Sequence, residues 1–183
     1  MDRAAITELF DYMGWAFERY ARVLDQQPAN RFAEPVPGSG WPSLAACFNH
    51  FVAGYDVWLN AAWSFSLGPL LHPGDTEVVA TWANDGSAPA PVIQTWPAMR
   101  DYYARCREAV RAAMAVPDAV FYVRRDIRGS LRSRADVITD LLLHDRGHHG
   151  DINTLFYQLG LKPYFNDYSL YLTHPNDFFL DEG

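Results

Sequence analysis

The stretch LLLHDRGHHGDINTLFYQLG, from Leu141 to Gly160, has the spacing of an amphipathic helix with an unusual apolar face. Its aliphatic residues recur every three or four positions, which places them along one side of a helix. Two histidines stand on that same side, where the pattern calls for leucine. The complete face consists of Leu159, Leu155, Ile152, His148, His144, Leu141 and Val137. The stretch therefore predicts a helix that turns two imidazole rings toward the protein interior.

Three further helical patterns precede this one along the chain. With it they predict a single all-α domain over 1–183, a four-helix bundle with long connections. A short extended segment is expected near 119–127, and the aromatic tail 161–183 shows no regular period. The four helices are predicted at about 2–26, 43–63, 95–116 and 133–160.

Residues with special backbone roles mark several of these boundaries. Ser43 is expected to cap the second helix, because its hydroxyl can accept a hydrogen bond from an otherwise unpaired backbone N–H. Gly160 is expected to end the fourth helix in the left-handed conformation.

Composition narrows the classes of protein to which the chain can belong. The net charge of -7 argues against a nucleic-acid partner, since phosphate binding requires clustered lysine and arginine. No apolar run approaches the ~20 residues that span a bilayer. The first ten residues lack the pattern of a signal peptide, and both cysteines fall in helical patterns, so a cytoplasmic protein without disulfides is expected. The aromatic content of 15% favours a homodimer.

Three histidines are predicted to face the interior. His144 and His148 are four residues apart, so both rings can reach one metal ion. His50 shares its helical row with Cys47 and Gly54, and its ring should also point inward. Neutral imidazole is the commonest nitrogen ligand for transition metals, and a shared ion would satisfy three buried polar rings together. The alternative is three separate core histidines, each with its own hydrogen-bond partner.

The remaining polar and aromatic candidates have supporting roles in this interpretation. His149 is expected to orient a ligand or to be structural rather than to bind the metal. Asp151 is expected to be solvated or to orient a ligand, with direct ligation as the alternative. Trp15, Tyr55 and Trp58 are candidate pocket walls, and core packing is favoured for at least two of them. The chain contains one D-x-x-H, Asp145 to His148, whereas a di-iron bundle would need two related motifs and more carboxylates. A mononuclear site is therefore predicted. His72 and His174 lie in predicted loops and are read as surface residues.

The chain resembles the DinB-like metal-binding four-helix bundles, a superfamily that includes bacillithiol S-transferases and mycothiol-dependent maleylpyruvate isomerase. The resemblance covers roughly residues 1–163. It rests on Ser43-Leu44, on Phe48-Asn49-His50 with Trp58 eight residues later, on the run His144 to Asp151, and on Leu159-Gly160. It implies that His50, His144 and His148 are the metal ligands.

Three positions depart from the family's motif. Gly147 stands where a histidine is common, His149 where an arginine is usual, and Asp151 where a glutamine is usual. None of the three is a ligand in the family, so the departures affect the surroundings of the metal and substrate preference rather than metal binding.

Three histidine ligands leave a coordination position open, as in catalytic metal sites. The expected cofactor is one divalent transition metal, zinc or nickel above all. The expected function is a metal-dependent hydrolase or thiol S-transferase acting on a small molecule, with a low-molecular-weight thiol as possible cosubstrate; the resemblance implies the transferase. No catalytic residue beyond the ligands can be named. The alternative is a non-catalytic metal- or ligand-binding bundle, such as a sensor or stress protein.

Overall fold

The computed structural model describes residues 2–56, 93–115, 120–122, 131–162 and 166–173, and within these ranges the chain is mostly helical. A 3-10 turn, Arg31–Ala33, precedes the second helix. Two short strands, β1 (Val120–Tyr122) and β2 (Leu131–Ser133), pair antiparallel. Among the described helices, none is long and apolar enough to cross a membrane. The α helices are α1 (Arg3–Leu24), α2 (Leu44–Asp56), α3 (Trp96–Ala115), α4 (Arg134–Gln158) and α5 (Tyr168–Thr173).

The observed helices α1 to α4 each begin one residue after the predicted start. The predicted ranges included the capping residue, which is not itself helical. Helix α2 is described as far as Asp56, and its predicted continuation to residue 63 lies outside the described residues. The extended segment expected near 119–127 is a strand at Val120–Tyr122, and the rest of that range is likewise outside them.

The predicted caps are present. The Ser43 hydroxyl accepts a hydrogen bond from the backbone N–H of Ala46 at 3.1 Å. At the other end of the fold, Gly160 has a φ of 69°, a conformation that costs glycine nothing because it has no Cβ. The Leu161 N–H then donates to the Phe156 carbonyl at 2.8 Å, which pairs a carbonyl of the last helical turn.

Helices α1 to α4 pack around a core rich in aromatic rings. Phe17 of α1 stacks on Tyr103 of α3 with ring centroids 3.5 Å apart, and Phe48 of α2 packs edge-on against Phe17 and Trp96. Helix α4 contacts α1, α2 and α3, so the face that carries His144 and His148 is held within reach of α2. Most aromatic side chains of the described residues are buried in this core.

Part of the tail, which shows no periodicity in the sequence, forms the short helix α5 against α1. The Tyr12 ring contacts the rings of Tyr168 and Tyr171, and the Tyr12 hydroxyl donates to the Asn166 carbonyl. A helix of six residues is too short for a repeat to be recognised.

A buried asparagine fastens the start of α3 to α2. The side-chain amide of Asn49 donates to the Ile93 carbonyl at 2.7 Å, and its oxygen accepts from the Ile93 N–H at 3.1 Å. Asn49 is completely buried, so water cannot replace these bonds. Because Asn49 directly precedes His50, these two hydrogen bonds also fix the helical turn that carries a predicted ligand.

We expect Asn49→Ala to lower the free energy of unfolding by about 2 kcal/mol, since both backbone groups of Ile93 lose their partner in a buried location. Urea unfolding of the metal-free protein measures this change. Gln94→Ala, at the exposed residue next to Ile93, is the control and should leave stability nearly unchanged. Equal stability of Asn49→Ala and wild type would show that the hydrogen bonds between Asn49 and Ile93 do not stabilise the fold.

Candidate metal centre

The three histidines predicted as ligands converge between α2 and α4. His50 lies on α2, and His144 and His148 lie one turn apart on α4. Each offers a ring nitrogen, and these atoms all lie within 4.8 Å of one another. The Nε2 atoms of His144 and His148 are 3.2 Å apart. Nitrogen ligands at ~2.05 Å from a tetrahedral ion are about 3.3 Å apart, so this spacing suits a shared metal. The group could hold a metal ion.

Gly54 lies next to the His144 ring at the α2–α4 contact. A Cβ at position 54 would lie 3.5 Å from Cε1 and Nδ1 of His144, an ordinary van der Waals distance, so alanine would fit there. The sequence places Gly54 one turn after His50 on the same row. This row of α2 therefore carries one histidine of the group and lies against another.

Asp151 and Trp41 fix the orientation of His148. The Asp151 carboxylate oxygen Oδ2 lies 2.9 Å from Nδ1 of His148 and also accepts a hydrogen bond from the Trp41 indole at 3.0 Å. A carboxylate paired with Nδ1 keeps the ring proton on that nitrogen, which leaves the Nε2 lone pair directed at His144. Asp151 therefore contacts His148 at the ring nitrogen that does not face His144.

Burial favours the neutral, metal-binding form of two of the three histidines, His50 and His144. Burial, together with smaller effects of the neighbouring His148 and His144, lowers the pKa of His50 to about 4. The pKa of His144 is also lowered, chiefly by burial and then by His148. Both rings are therefore neutral near pH 7, where an uncharged imidazole is required for coordination.

His149 faces away from the three ligands and belongs to a buried polar group. Its Nε2 lies 3.4 Å from Oδ1 of Asp145, and each of the two side chains is only 2% exposed. The second oxygen of Asp145 accepts a hydrogen bond from the Tyr55 hydroxyl. The His149 ring also packs edge-on against Tyr20 of α1. This group joins α1, α2 and α4, which agrees with the structural role considered for His149.

Of the three residues predicted as candidate pocket walls, Trp15 and Tyr55 are buried and Trp58 is not described. Trp15 packs in the core against Tyr12 and Tyr171, with the Arg19 guanidinium 4.8 Å from its ring. Tyr55 is buried beside Asp145. Trp58, His72 and His174 lie outside the described residues.

Two residues at the centre were not predicted as part of it. The Trp41 ring lies 5.0 Å from the His50 ring and 5.5 Å from the His148 ring, measured between centroids. It belongs to an irregular loop, where no periodicity reveals which way a side chain points. The other residue, Cys47, was interpreted as a small buried hydrophobic residue, although it shares the helical row of His50. Its thiol lies within 4.8 Å of a ligand atom of both His148 and Asp151.

Comparison of the chain with models of protein families, with curated proteins and with solved structures finds no match.

We expect Asp151→Asn to weaken zinc binding by about 10–100-fold while the stoichiometry is kept, because residues that orient a metal-binding histidine typically have effects of this size. Competition titration with a chromophoric chelator measures the affinity. Asp101→Asn removes the same charge from an exposed site on α3 and should bind zinc like the wild type. An unchanged affinity in Asp151→Asn would show that the carboxylate does not orient His148.

The stability of the metal-free protein should fall as the pH drops from about 6.5 toward about 4, the interval between the ordinary and the lowered pKa of His50. In this interval His50 is protonated in the unfolded chain and neutral in the folded chain. Because the unfolded state binds more protons, lowering the pH favours unfolding. Urea unfolding at about pH 7 and about pH 5 measures the loss. His50→Gln should show a smaller loss than the wild type, and an identical loss would contradict the assignment.

Proposed function

We propose that this chain is a mononuclear metal-dependent enzyme of the DinB-like four-helix-bundle type, with His50, His144 and His148 as ligands of one zinc or nickel ion. The observation that carries the proposal is the approach of three ring nitrogens, from two helices, to within 4.8 Å of one another. The donor set fits such an ion, because neutral imidazoles bind zinc and nickel well. Separate core histidines would each need a partner of their own, whereas one ion would serve all three rings.

The number of ligands supports hydrolysis and thiol S-transfer equally, and the resemblance to the DinB-like family favours the transfer. Three histidines leave a fourth position for a reactant, and a divalent ion lowers the pKa of a water or thiol that binds there. Asp151 and Trp41 hold His148 in its metal-binding orientation, and Trp41 covers one side of the ligand group. His144 is the most exposed of the three ligands, so a small molecule would approach from its side. We propose thiol S-transfer, with a low-molecular-weight thiol as cosubstrate, ahead of hydrolysis.

Turnover assays on the metal-loaded protein test this function. The untagged protein, loaded with zinc or nickel, is incubated with one panel of thiols plus electrophiles and with a second panel of activated esters. We expect thiol-dependent turnover that disappears in His144→Ala. Hydrolysis of the esters without thiol would favour the hydrolase. A fully loaded protein that turns over neither panel would favour the non-catalytic metal-binding alternative.

A homodimer is the second part of the proposal. Helix α4 exposes two large apolar side chains, Leu143 at 56% and Tyr157 at 78%, which a second copy could cover. Light scattering coupled to size exclusion measures the mass, and a monomer at micromolar concentration would remove the dimer from the proposal.

A further inference from the structure

A second group of metal-binding side chains lies beside the three histidines. Cys47 of α2 and His148 and Asp151 of α4 each offer one ligand atom, and these atoms lie within 4.8 Å of one another. The group shares His148 with the proposed centre, where Asp151 only orients that histidine and Cys47 is not a ligand. Sulfur, nitrogen and oxygen ligands from two helices are therefore assembled at a position that the proposed function leaves unused.

We propose that Cys47, His148 and Asp151 form a second cation position, which takes a thiophilic divalent ion such as Cd²⁺. The charges balance, since one thiolate and one carboxylate neutralise a divalent ion in a place where Cys47 is completely buried. Soft thiolate ligands favour thiophilic metals over magnesium or calcium. The three-histidine group carries no negative ligand, so a thiophilic ion gains a thiolate and a carboxylate only at the second position.

The two positions use opposite nitrogens of the same ring. Asp151 approaches Nδ1 of His148 at 2.9 Å, whereas His144 faces Nε2 at 3.2 Å. A cation bound with Asp151 and Cys47 therefore takes Nδ1. Binding releases the Cys47 thiol proton to solvent, and the proton on Nδ1 is replaced by one on Nε2, so the ring stays neutral. His148 is then no longer a ligand for the three-histidine group, and the two positions exclude each other.

The cation can enter from the Asp151 side. The Asp151 side chain is 44% exposed, while that of His148 is 13% exposed and Cys47 lies beneath them. The exposed carboxylate of Asp151 would bind the ion first, and the buried thiol of Cys47 would then complete the coordination.

Cadmium titration of the metal-free protein tests the second position, because a cadmium–thiolate bond has a charge-transfer absorption in the ultraviolet. We expect the band in the wild type and its loss in Cys47→Ser. Cys106→Ser is the matched control, since Cys106 is the other buried cysteine and lies on α3. His144→Ala should keep the band, because that variant lacks the three-histidine group but retains the second one. Loss of the band in Cys47→Ser tests this inference, and loss of the three-histidine group in His144→Ala tests the proposed function, so either can fail without the other.

Nitrogen NMR of labelled histidine identifies the bound atom of His148. Coupling of cadmium to Nδ1 is expected in the wild type and in Cys106→Ser. Absence of the charge-transfer band from the wild type, its persistence in Cys47→Ser, or coupling to Nε2 alone would each overturn the inference. Should Cys47→Ser fail to fold, Asp151→Asn provides the same test, because it removes a ligand from the exposed side and should weaken the band at a given cadmium concentration.

Discussion

His144→Ala should lose the bound divalent metal, with an affinity reduced by more than about 100-fold, since removal of a ligand should exceed the effect of removing a residue that only orients one. The physical reason is the loss of one of three nitrogens that lie within 4.8 Å of one another. His144 is the most exposed of the three, so its replacement should disturb packing least. Elemental analysis of untagged protein, dialysed against a weak chelator, gives the metal content per chain.

Two kinds of variant serve as controls for this measurement. His50→Ala should behave like His144→Ala, although His50 lies on a different helix. His72→Ala and His174→Ala remove histidines that the sequence places in loops and should retain the wild-type metal content. Wild-type stoichiometry in His50→Ala and His144→Ala, each combined with Cys47→Ser to remove the second cation position, would remove these residues as ligands and with them the proposed function.

His149→Leu should lower the free energy of unfolding by about 3 kcal/mol, the upper end of the range for a buried polar group that loses its partner. Asp145 is 2% exposed, and its carboxylate has His149 at one oxygen and the Tyr55 hydroxyl at the other. Leucine leaves one oxygen of the buried carboxylate without its neighbour. Urea unfolding of the metal-free proteins measures the difference.

The double variant Asp145→Leu with His149→Leu separates the pair from general packing. Replacing both partners by apolar residues removes both buried polar groups, so part of the lost stability should return, less the cost of the Tyr55 hydroxyl that then lacks its acceptor. Folded His149→Leu should still bind the metal at wild-type stoichiometry, because residue 149 is not one of the three ligands. A loss of metal without a loss of stability would instead place His149 at the metal.

The helices and the ligand set were predictable for the same reason. Local hydrophobic spacing, together with Ser43 and Gly160, marks where helices begin and end. The spacing also places His144 and His148 on the interior face of α4 and His50 on the interior face of α2. Residues on the interior faces of two packed helices can meet without any unusual backbone, so the periodicity was sufficient to anticipate the group.

The surroundings of the ligands were less predictable because they depend on contacts between distant parts of the chain. Trp41 and Asp151 are 110 residues apart, and the loop that carries Trp41 has no periodicity from which its direction could be read. Asp145 and His149 have the spacing of a pair on one helix face, but only the packing of Tyr55 against them shows that this pair is buried.

The sequence by itself determined a mostly helical chain with three inward-facing histidines, because helical periodicity is a local property that each segment carries alone. Only the tertiary structure decided which nitrogen of His148 faces the other ligands and that Cys47 lies beside Asp151. Those features arise where α2, α4 and the loop containing Trp41 come together. The distances between side chains of different segments depend on how the segments pack, so they cannot be read from any one segment.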